Sequence, residues 1–225
     1  MDATGPNSFY GSLSGRARKV IAEASQPARH PEGRLIVGEG DDSHDLIILV
    51  SGVARSAVFT ENGREVSFHD VEAGGCFGEL SAIDGLPRSA SVIALTDCET
   101  LSLSRSALFR LIEDDAEIAY ALLALMSGKI RDMTRRLVEF SGLNARQRVI
   151  REIHRVATEK RVTLDSAEIA DFPTQQELAA KLFTRREAIS REMAALQREG
   201  LIERKDGRLH IPSVAKLSRA IGTAV

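Results

Sequence analysis

The hydrophobic period of this chain changes once, after Ser104, and that change restricts it to folds joining a strand-rich part to a helical one. Before it, short β-rich runs cover Arg34–Val37, Asp45–Val50, Val53–Phe59 and Arg64–Val71, separated by Gly38, Gly40, Gly52, Gly63 and the Gly74-Gly75 pair. Asn62-Gly63 between two of these runs is a strong hairpin signal, because both residues tolerate the positive φ of a type I′ turn. Ala90–Leu95 and Cys98–Leu103, split by Thr96-Asp97, add a further pair. Short strands at this spacing predict a barrel or a sandwich.

After Ser104 helix formers dominate. From Ser106 to Phe140 the only glycine is Gly128, and there is no proline. Leu122, Met126, Ile130, Met133, Leu137 and Phe140 follow one another at steps of 4, 4, 3, 4 and 3, an a/d seam lasting nearly three heptads. A helix packed on its own domain gives that spacing. So does a helix pair across a dimer, and Lys129, Arg131, Asp132, Arg135, Arg136 and Glu139 leave the other faces polar. Ser141-Gly142-Leu143-Asn144 then reads as a domain boundary, with Gly142 a C-cap and Asn144 the next N-cap. A helix over about 145–158 follows. Two more come close together, Thr174 to Leu182 and Thr184 to Glu199, each opening as a capping box, with Glu177 and Glu187 at the reciprocal positions. Gly200 ends the second, and Leu201–Arg204 and Arg208–Ile211 form a hairpin through Lys205-Asp206-Gly207. Helix, turn, helix, hairpin is a winged helix-turn-helix.

Charge separates the same two parts. From Ser141 to Val225 there are 16 basic and 11 acidic residues, a net of +5; the remainder holds 14 against 21, a net of −7. A basic block beside an acidic one suggests that only the C-terminal part meets a polyanion. The 225 residues suffice for two modest domains. No run approaches the length of a membrane span, and the first residues lack the basic and apolar regions of a signal peptide, so a cytoplasmic protein is expected. Cys76 and Cys98, with no C-x-x-C spacing, argue against a disulfide framework, an iron–sulfur cluster or structural zinc. No metal site is expected.

The densest chemistry lies between Gly78 and Ala90, in the run Gly78-Glu79-Leu80-Ser81-Ala82-Ile83-Asp84-Gly85-Leu86-Pro87-Arg88-Ser89-Ala90. A glycine-opened turn presents backbone N–H groups to an anion. Arg88 adds a planar donor fork suited to one phosphate, and Ser89 a hydroxyl beside it. Glu79 only accepts, which suits a sugar hydroxyl and not a phosphate. Together these describe a ribose-phosphate ligand. A surface Glu–Arg pair is the plainer reading, but it does not account for the glycines and the proline.

This G-E-L…P-R-x-A pattern resembles the phosphate-binding cassette of cyclic-nucleotide-binding domains, in the uninterrupted register of eukaryotic cAMP-dependent kinase regulatory subunits. With the winged helix downstream, the chain from about residue 10 to 212 resembles the CRP/FNR family of bacterial transcription regulators. The resemblance implies an α+β architecture: an N-terminal β-roll or jelly roll (10–115), a long dimerisation helix (116–140), a hinge (141–144) and a winged helix-turn-helix (145–225). It implies that Gly78 and Leu80 lie near the ligand through their backbones, that Glu79 takes the ribose 2′-OH, and that Arg88 and Ser89 take the cyclic phosphate. Family members that bind cAMP meet its adenine with a Thr-Ser pair on the dimer helix. Those positions align with Met133 and Thr134, so one hydroxyl is missing here. Phe68 falls on the strand facing the base. The expectation is cAMP as effector, with cGMP as an additional or competing ligand.

A DNA-reading helix needs long donors on its N-terminal face. Arg185, Arg186, Glu187, Ser190 and Arg191 provide them, and resemble the family's S-R-E-x-x-x-R helix with Arg185 in the place of the serine. By that resemblance Arg186 and Arg191 read guanines and Glu187 a cytosine, in palindromic TGTGA-like half-sites bound by a homodimer that also meets RNA polymerase. Thr174, Gln175, Lys205 and Arg208 would hold phosphates. Phe183 stands where the family's turn carries glycine. The resemblance also leaves room for a regulator with another effector, or with little nucleotide dependence. An enzyme is not expected, since His154 and His210 have no carboxylate–histidine spacing that would build a catalytic metal centre.

Overall fold

The computed structural model describes residues 8–59, 65–159, 165–170 and 172–222. The chain divides into two compact units, Met1–Met133 and Thr134–Val225. Among the described residues no helix is long and apolar enough to cross a membrane.

The first unit opens with α1 (Gly15–Glu23), capped by Ser14, whose side chain accepts the Ala17 N–H. Eight strands follow: β1 (Gln26–His30), β2 (Leu35–Val37), β3 (Leu46–Ser51), β4 (Val53–Phe59), β5 (Glu65–Glu72), β6 (Cys76–Phe77), then β7 (Ser91–Ala94) and β8 (Cys98–Leu103) beyond the short helix α2 (Glu79–Asp84). They form two antiparallel four-stranded sheets, ordered β1-β8-β3-β6 and β2-β7-β4-β5, the sandwich the spacing predicts. β4 and β5 pair from Val53↔Glu72 to Phe59↔Glu65, as a hairpin should; the Asn62-Gly63 turn itself lies outside the described residues.

The run Leu46-Ile47-Ile48-Leu49 is apolar without alternation because both its faces are buried. Ile47 and Leu49 join Val37, Ala54, Val71, Phe77 and Val92 between the sheets, while Leu46 and Ile48 join Ile21, Leu108 and Leu122 beneath the helices. One strand therefore serves two cores. The helical run after Ser104 is not continuous: α3 (Arg105–Asp114) and α4 (Ala116–Gly142) are separated by Asp115 in an extended conformation. The Asp115 carboxylate accepts the Glu117 N–H and pairs with Arg16 at 2.6 Å, so the break is held by side chains. Gly142 ends α4 without a left-handed φ.

The second unit contains α5 (Ala145–Glu159), β9 (Ala167–Ile169), α6 (Gln175–Lys181), α7 (Arg186–Arg198), β10 (Glu203–Lys205), β11 (Arg208–Ile211) and α8 (Val214–Gly222). Its core is built on Val149, Ile150, Ile153, Leu178, Ile189, Met193, Leu196 and Leu217. Asn144 caps α5 reciprocally: its Oδ1 accepts the Gln147 N–H, and Gln147 Oε1 accepts the Asn144 N–H. Gln147 Nε2 also donates to the carbonyl of Ile221 at 3.2 Å, so one amide grips the start of α5 and the end of α8. Inside the core wall, Glu152 is 8% exposed and holds Arg155 at 2.8 Å and Lys181 at 2.9 Å. The wing turn has Asp206 and Gly207 at φ 51° and 76°, the geometry of a two-residue hairpin.

The Thr174–Glu177 capping box forms as expected. The second expected box does not. α7 begins one residue later, with Arg185 at the N-cap and no side-chain cap bond. Thr184 is instead the last residue of a Schellman closure of α6: its N–H donates to Ala179 O, and the Phe183 N–H to Ala180 O. Phe183 occupies the left-handed position of that motif, φ 51°, where a side chain is strained.

Candidate functional site

The cassette is built around two buried charges. Gly78, at φ 79°, precedes α2 and turns Glu79 inward; Gly85, at φ 73°, closes the helix. A Cβ on Gly78 would collide with Nη1 of Arg88 and lie 2.8 Å from the Asp45 carbonyl, so only glycine lets the guanidinium in. Arg88 is 4% exposed. Its Nε donates to Ser43 Oγ at 2.8 Å and its Nη1 to Gly78 O at 3.1 Å. Burial pulls its pKa down, against the nearby charges of Asp45, Glu79 and Asp41 that hold it up. A guanidinium remains protonated through such a shift. Two donors are fixed by the protein, leaving part of the fork for an anion.

Glu79 is 5% exposed. Lys129, on α4, places Nζ 2.7 Å from Glu79 Oε1. Glu79 Oε2 is buried with no hydrogen-bond partner among the described residues. An ionised carboxylate oxygen in that state is costly, and a hydroxyl donor would relieve it. The residues present therefore fit a ribose-phosphate: an orphan acceptor, a preset guanidinium and a glycine cradle.

Leu80 and Ser89 flank this pair and are exposed. Phe68 lies on β5 at the register shift opposite Ser56 and Ala57; its side chain is outside the described residues. Met133 is 65% exposed, one helical turn beyond Lys129. Thr134, also exposed, begins the second unit. Lys129 corrects the sequence reading, which placed it on a polar face: its side chain is only 16% exposed. The signal was available, because Leu122, Leu125 and Lys129 are spaced 3 and 4 and the two leucines are buried. A lysine continuing a buried stripe calls for a carboxylate. Ser43 lies in a loop where no periodicity could mark it. Further along α4 the apolar face emerges: Ile130, Met133, Leu137 and Val138 are exposed. The reading of a helix packed on its own domain therefore holds for the first part of α4, where Leu122 and Leu125 are buried.

In the second unit Arg185, Arg186, Glu187, Ser190 and Arg191 are all exposed, while Ile189, Met193 and Leu196 on the opposite face of α7 are buried. α7 is tied down from α5: Arg146 reaches Glu199 at 2.5 Å and Glu192 at 3.7 Å. Arg148 Nη1 donates to Leu182 O at 2.8 Å, beside the Phe183 turn. Sequence reasoning missed both arginines, since nothing in a helical pattern tells which exposed-looking cation bends back. Thr174 commits its hydroxyl proton to Glu177 Oε2, whereas the neighbouring Gln175 is half-buried. On the wing, Lys205 is exposed and Arg208 pairs with Glu168 at 2.5 Å. No group of three or more His, Cys, Asp or Glu able to hold a metal ion occurs among the described residues.

Residues 27–115 match the family model of the cyclic nucleotide-binding domain, and residues 147–220 that of the Crp-like helix-turn-helix domain. The chain is 31% identical to a cyclic AMP receptor protein of Thermus thermophilus, over 87% of this chain and 88% of the relative. It is 26% identical to a CRP-like cAMP-activated global transcriptional regulator of Mycobacterium tuberculosis, over 89% and 90%. Its fold is that of the c-di-GMP responsive global regulator CLP of Xanthomonas campestris, with a TM-score of 0.78, 22% identity, and coverage of 88% of this chain and 99% of that one.

Proposed function

We propose that this chain, which belongs to the CRP/FNR family of transcription regulators, is a sequence-specific DNA-binding dimer switched by a cyclic nucleotide, cAMP in the first place and cGMP as an additional or competing ligand. The observation that carries this reading is the orphan Glu79 Oε2 set beside the half-committed Arg88. Glu79 accepts from the ribose 2′-OH, and Lys129 holds its other oxygen. Arg88 and Ser89 take the cyclic phosphate, with the backbones of Gly78 and Leu80 nearby. Met133, Thr134 and Phe68 meet the base. Residues 10–115 sense, 116–140 dimerise through the exposed apolar stretch of α4, 141–144 form the hinge and 145–225 read DNA. An exposed apolar stripe of this kind is what a second helix would cover.

In the reading head Arg186 and Arg191 contact guanines, Glu187 a cytosine, and Ser190 and Arg185 the flanking edges, in a TGTGA-like half-site. Thr174, Gln175, Lys205 and Arg208 contact phosphates. Two such heads reach successive major-groove faces when they stand about 34 Å apart. The ligand favours that arrangement only to the extent that it binds it more tightly. RNA polymerase is the partner on the promoter.

The test is operator affinity measured without ligand and with cAMP, cGMP or cyclic di-GMP, for the wild type and Arg88→Ala. A gain of tenfold or more with cAMP or cGMP, lost in Arg88→Ala, supports the reading. Equal affinity in all arms would instead establish a regulator with little nucleotide dependence, and a response to cyclic di-GMP alone a different effector.

A further inference from the structure

Three helix ends meet on the first turn of α5, each held by one of three consecutive side chains. Arg146 Nη2 donates to Glu199 Oε2 at 2.5 Å, and Glu199 is the C-cap of α7. Gln147 Nε2 reaches the Ile221 carbonyl, in the last turn of α8. Arg148 Nη1 donates at 2.8 Å to the carbonyl of Leu182, the C-cap of α6. Donors suit all three places, because a helix C-terminus ends in unsatisfied carbonyls and carries partial negative charge. They do not suit α5 itself. Its first turn holds no acidic residue, and the arginines there oppose its own dipole. Their position is explained by what they reach.

Arg146 reaches furthest into α7. Besides Glu199 it lies 3.7 Å from Glu192, and the two glutamates stand two turns apart on one face of that helix. A second face, Ile189, Met193 and Leu196, is buried. Apolar packing alone constrains the roll and slide of a helix less sharply than two directed polar contacts at separate points along it. Arg186, Glu187, Ser190 and Arg191 occupy the exposed remainder, so their direction follows from how α7 is set.

We infer that Arg146 is a positioning residue for DNA reading: gripping Glu192 and Glu199 from the first turn of α5, it sets the roll and slide of α7 and thereby the aim of Arg186 and Arg191. This rests on the reading of α7 as the DNA-contacting helix. Arg146 acts through the two glutamates and not through a contact of its own with DNA. A misaimed pair of base contacts loses discrimination, whereas attraction to phosphates, which is insensitive to aim, persists.

The probes are a duplex enriched by the wild-type full chain from random-sequence DNA, with cAMP and cGMP both present, and a scrambled version of that duplex. Affinities are compared for the wild type, Arg146→Ala, Glu199→Gln, their double variant and Arg186→Ala. Glu199→Gln is the discriminating arm. It removes a negative charge, which by electrostatics alone would tighten binding to any DNA. As the loss of a positioning contact it should instead weaken binding to the enriched duplex about three- to tenfold, with scrambled binding level or higher. Arg146→Ala should lose about fivefold or more of the preference for the enriched duplex, and the double variant no more than the larger single loss. The urea midpoint should stay close to that of the wild type, since partly exposed ion pairs contribute little to stability. Should Arg146→Ala fail to fold, Glu199→Gln decides alone. Equal weakening on both duplexes in Arg146→Ala marks a phosphate contact and overturns the inference, as does unchanged or tighter binding of the enriched duplex by Glu199→Gln. If Arg186→Ala loses preference while Arg146→Ala and Glu199→Gln keep it, the Arg146 role alone falls. If Arg186→Ala keeps full preference, or the wild type enriches no sequence, the reading of α7 falls as well.

Discussion

Among the described residues each unit buries one glutamate, and the two are in opposite states. Glu152 has both oxygens engaged: Arg155 approaches through Nε and Nη2 at 3.2 and 2.8 Å, and Lys181 adds a second cation. Glu79 has one oxygen on Lys129 and the other on no partner among the described residues. Burial penalises both charges alike, so the difference lies in completion by the protein. A complete network is scaffold. An incomplete one is a place made ready for something else. The DNA-reading side chains follow a third rule, since exposure leaves their charges hydrated and nothing in the unbound chain needs to complete them.

The largest effect should come from damaging the complete network. Glu152→Gln leaves Arg155 and Lys181 facing a neutral amide, and should lower the unfolding free energy by about 3–5 kcal/mol in urea titrations. Nucleotide affinity should stay unchanged; if it drops with stability, the two glutamates are not as distinct as their contacts suggest. Acid probes the same group without mutation. Burial alone would raise the Glu152 pKa, but Arg155 and Lys181 outweigh it and bring it down to about 2. A depressed carboxylate contributes stability that is whole above its ordinary pKa of 4.5 and is lost as pH falls toward 2. That loss should approach about 3 kcal/mol, read as a falling urea midpoint, and Glu152→Gln should flatten it.

Glu79→Gln reverses the pattern. It should cost about 2 kcal/mol in nucleotide affinity, roughly thirtyfold, and less than half of that in stability, because Lys129 can turn toward water. Among the exposed groups, Arg186→Ala should relax selectivity at a single base pair by about 1–3 kcal/mol, whereas Lys205→Ala should lower affinity evenly and reduce the salt slope by about one. Operator and scrambled duplexes at several salt concentrations separate them. Smallest is Phe183→Gly, which should raise stability by about 1 kcal/mol by relieving the left-handed strain of the Schellman position.

What the sequence made legible was whatever depends on local rules. The short glycine-split strands before Ser104, the Asp206-Gly207 turn, the Asn144 and Thr174 caps and the cassette glycines all follow from backbone preference, and all stand in the structure. Readings failed where a residue had two local possibilities and a distant contact chose. Thr184 could cap α7 or close α6, and the Schellman bonds took it. Lys129 could face water or Glu79, fifty positions away in the chain, and the buried acid took it. Asp115 looked like one more helical residue until Arg16 and Glu117 held it extended. Glu79 and Arg88 were found by motif, but their partners Ser43 and Lys129 were not, because those belong to other elements.

Gln147 adds a practical point about the second unit. Its one amide is shared by residue 144 and residue 221, so the two ends of that unit are not independent variables. Anything fastened beyond the last helix, a tag or a tether to a surface, pulls on the same side chain that closes the first turn of α5. An instrument attached at the tail would be listening at the joint.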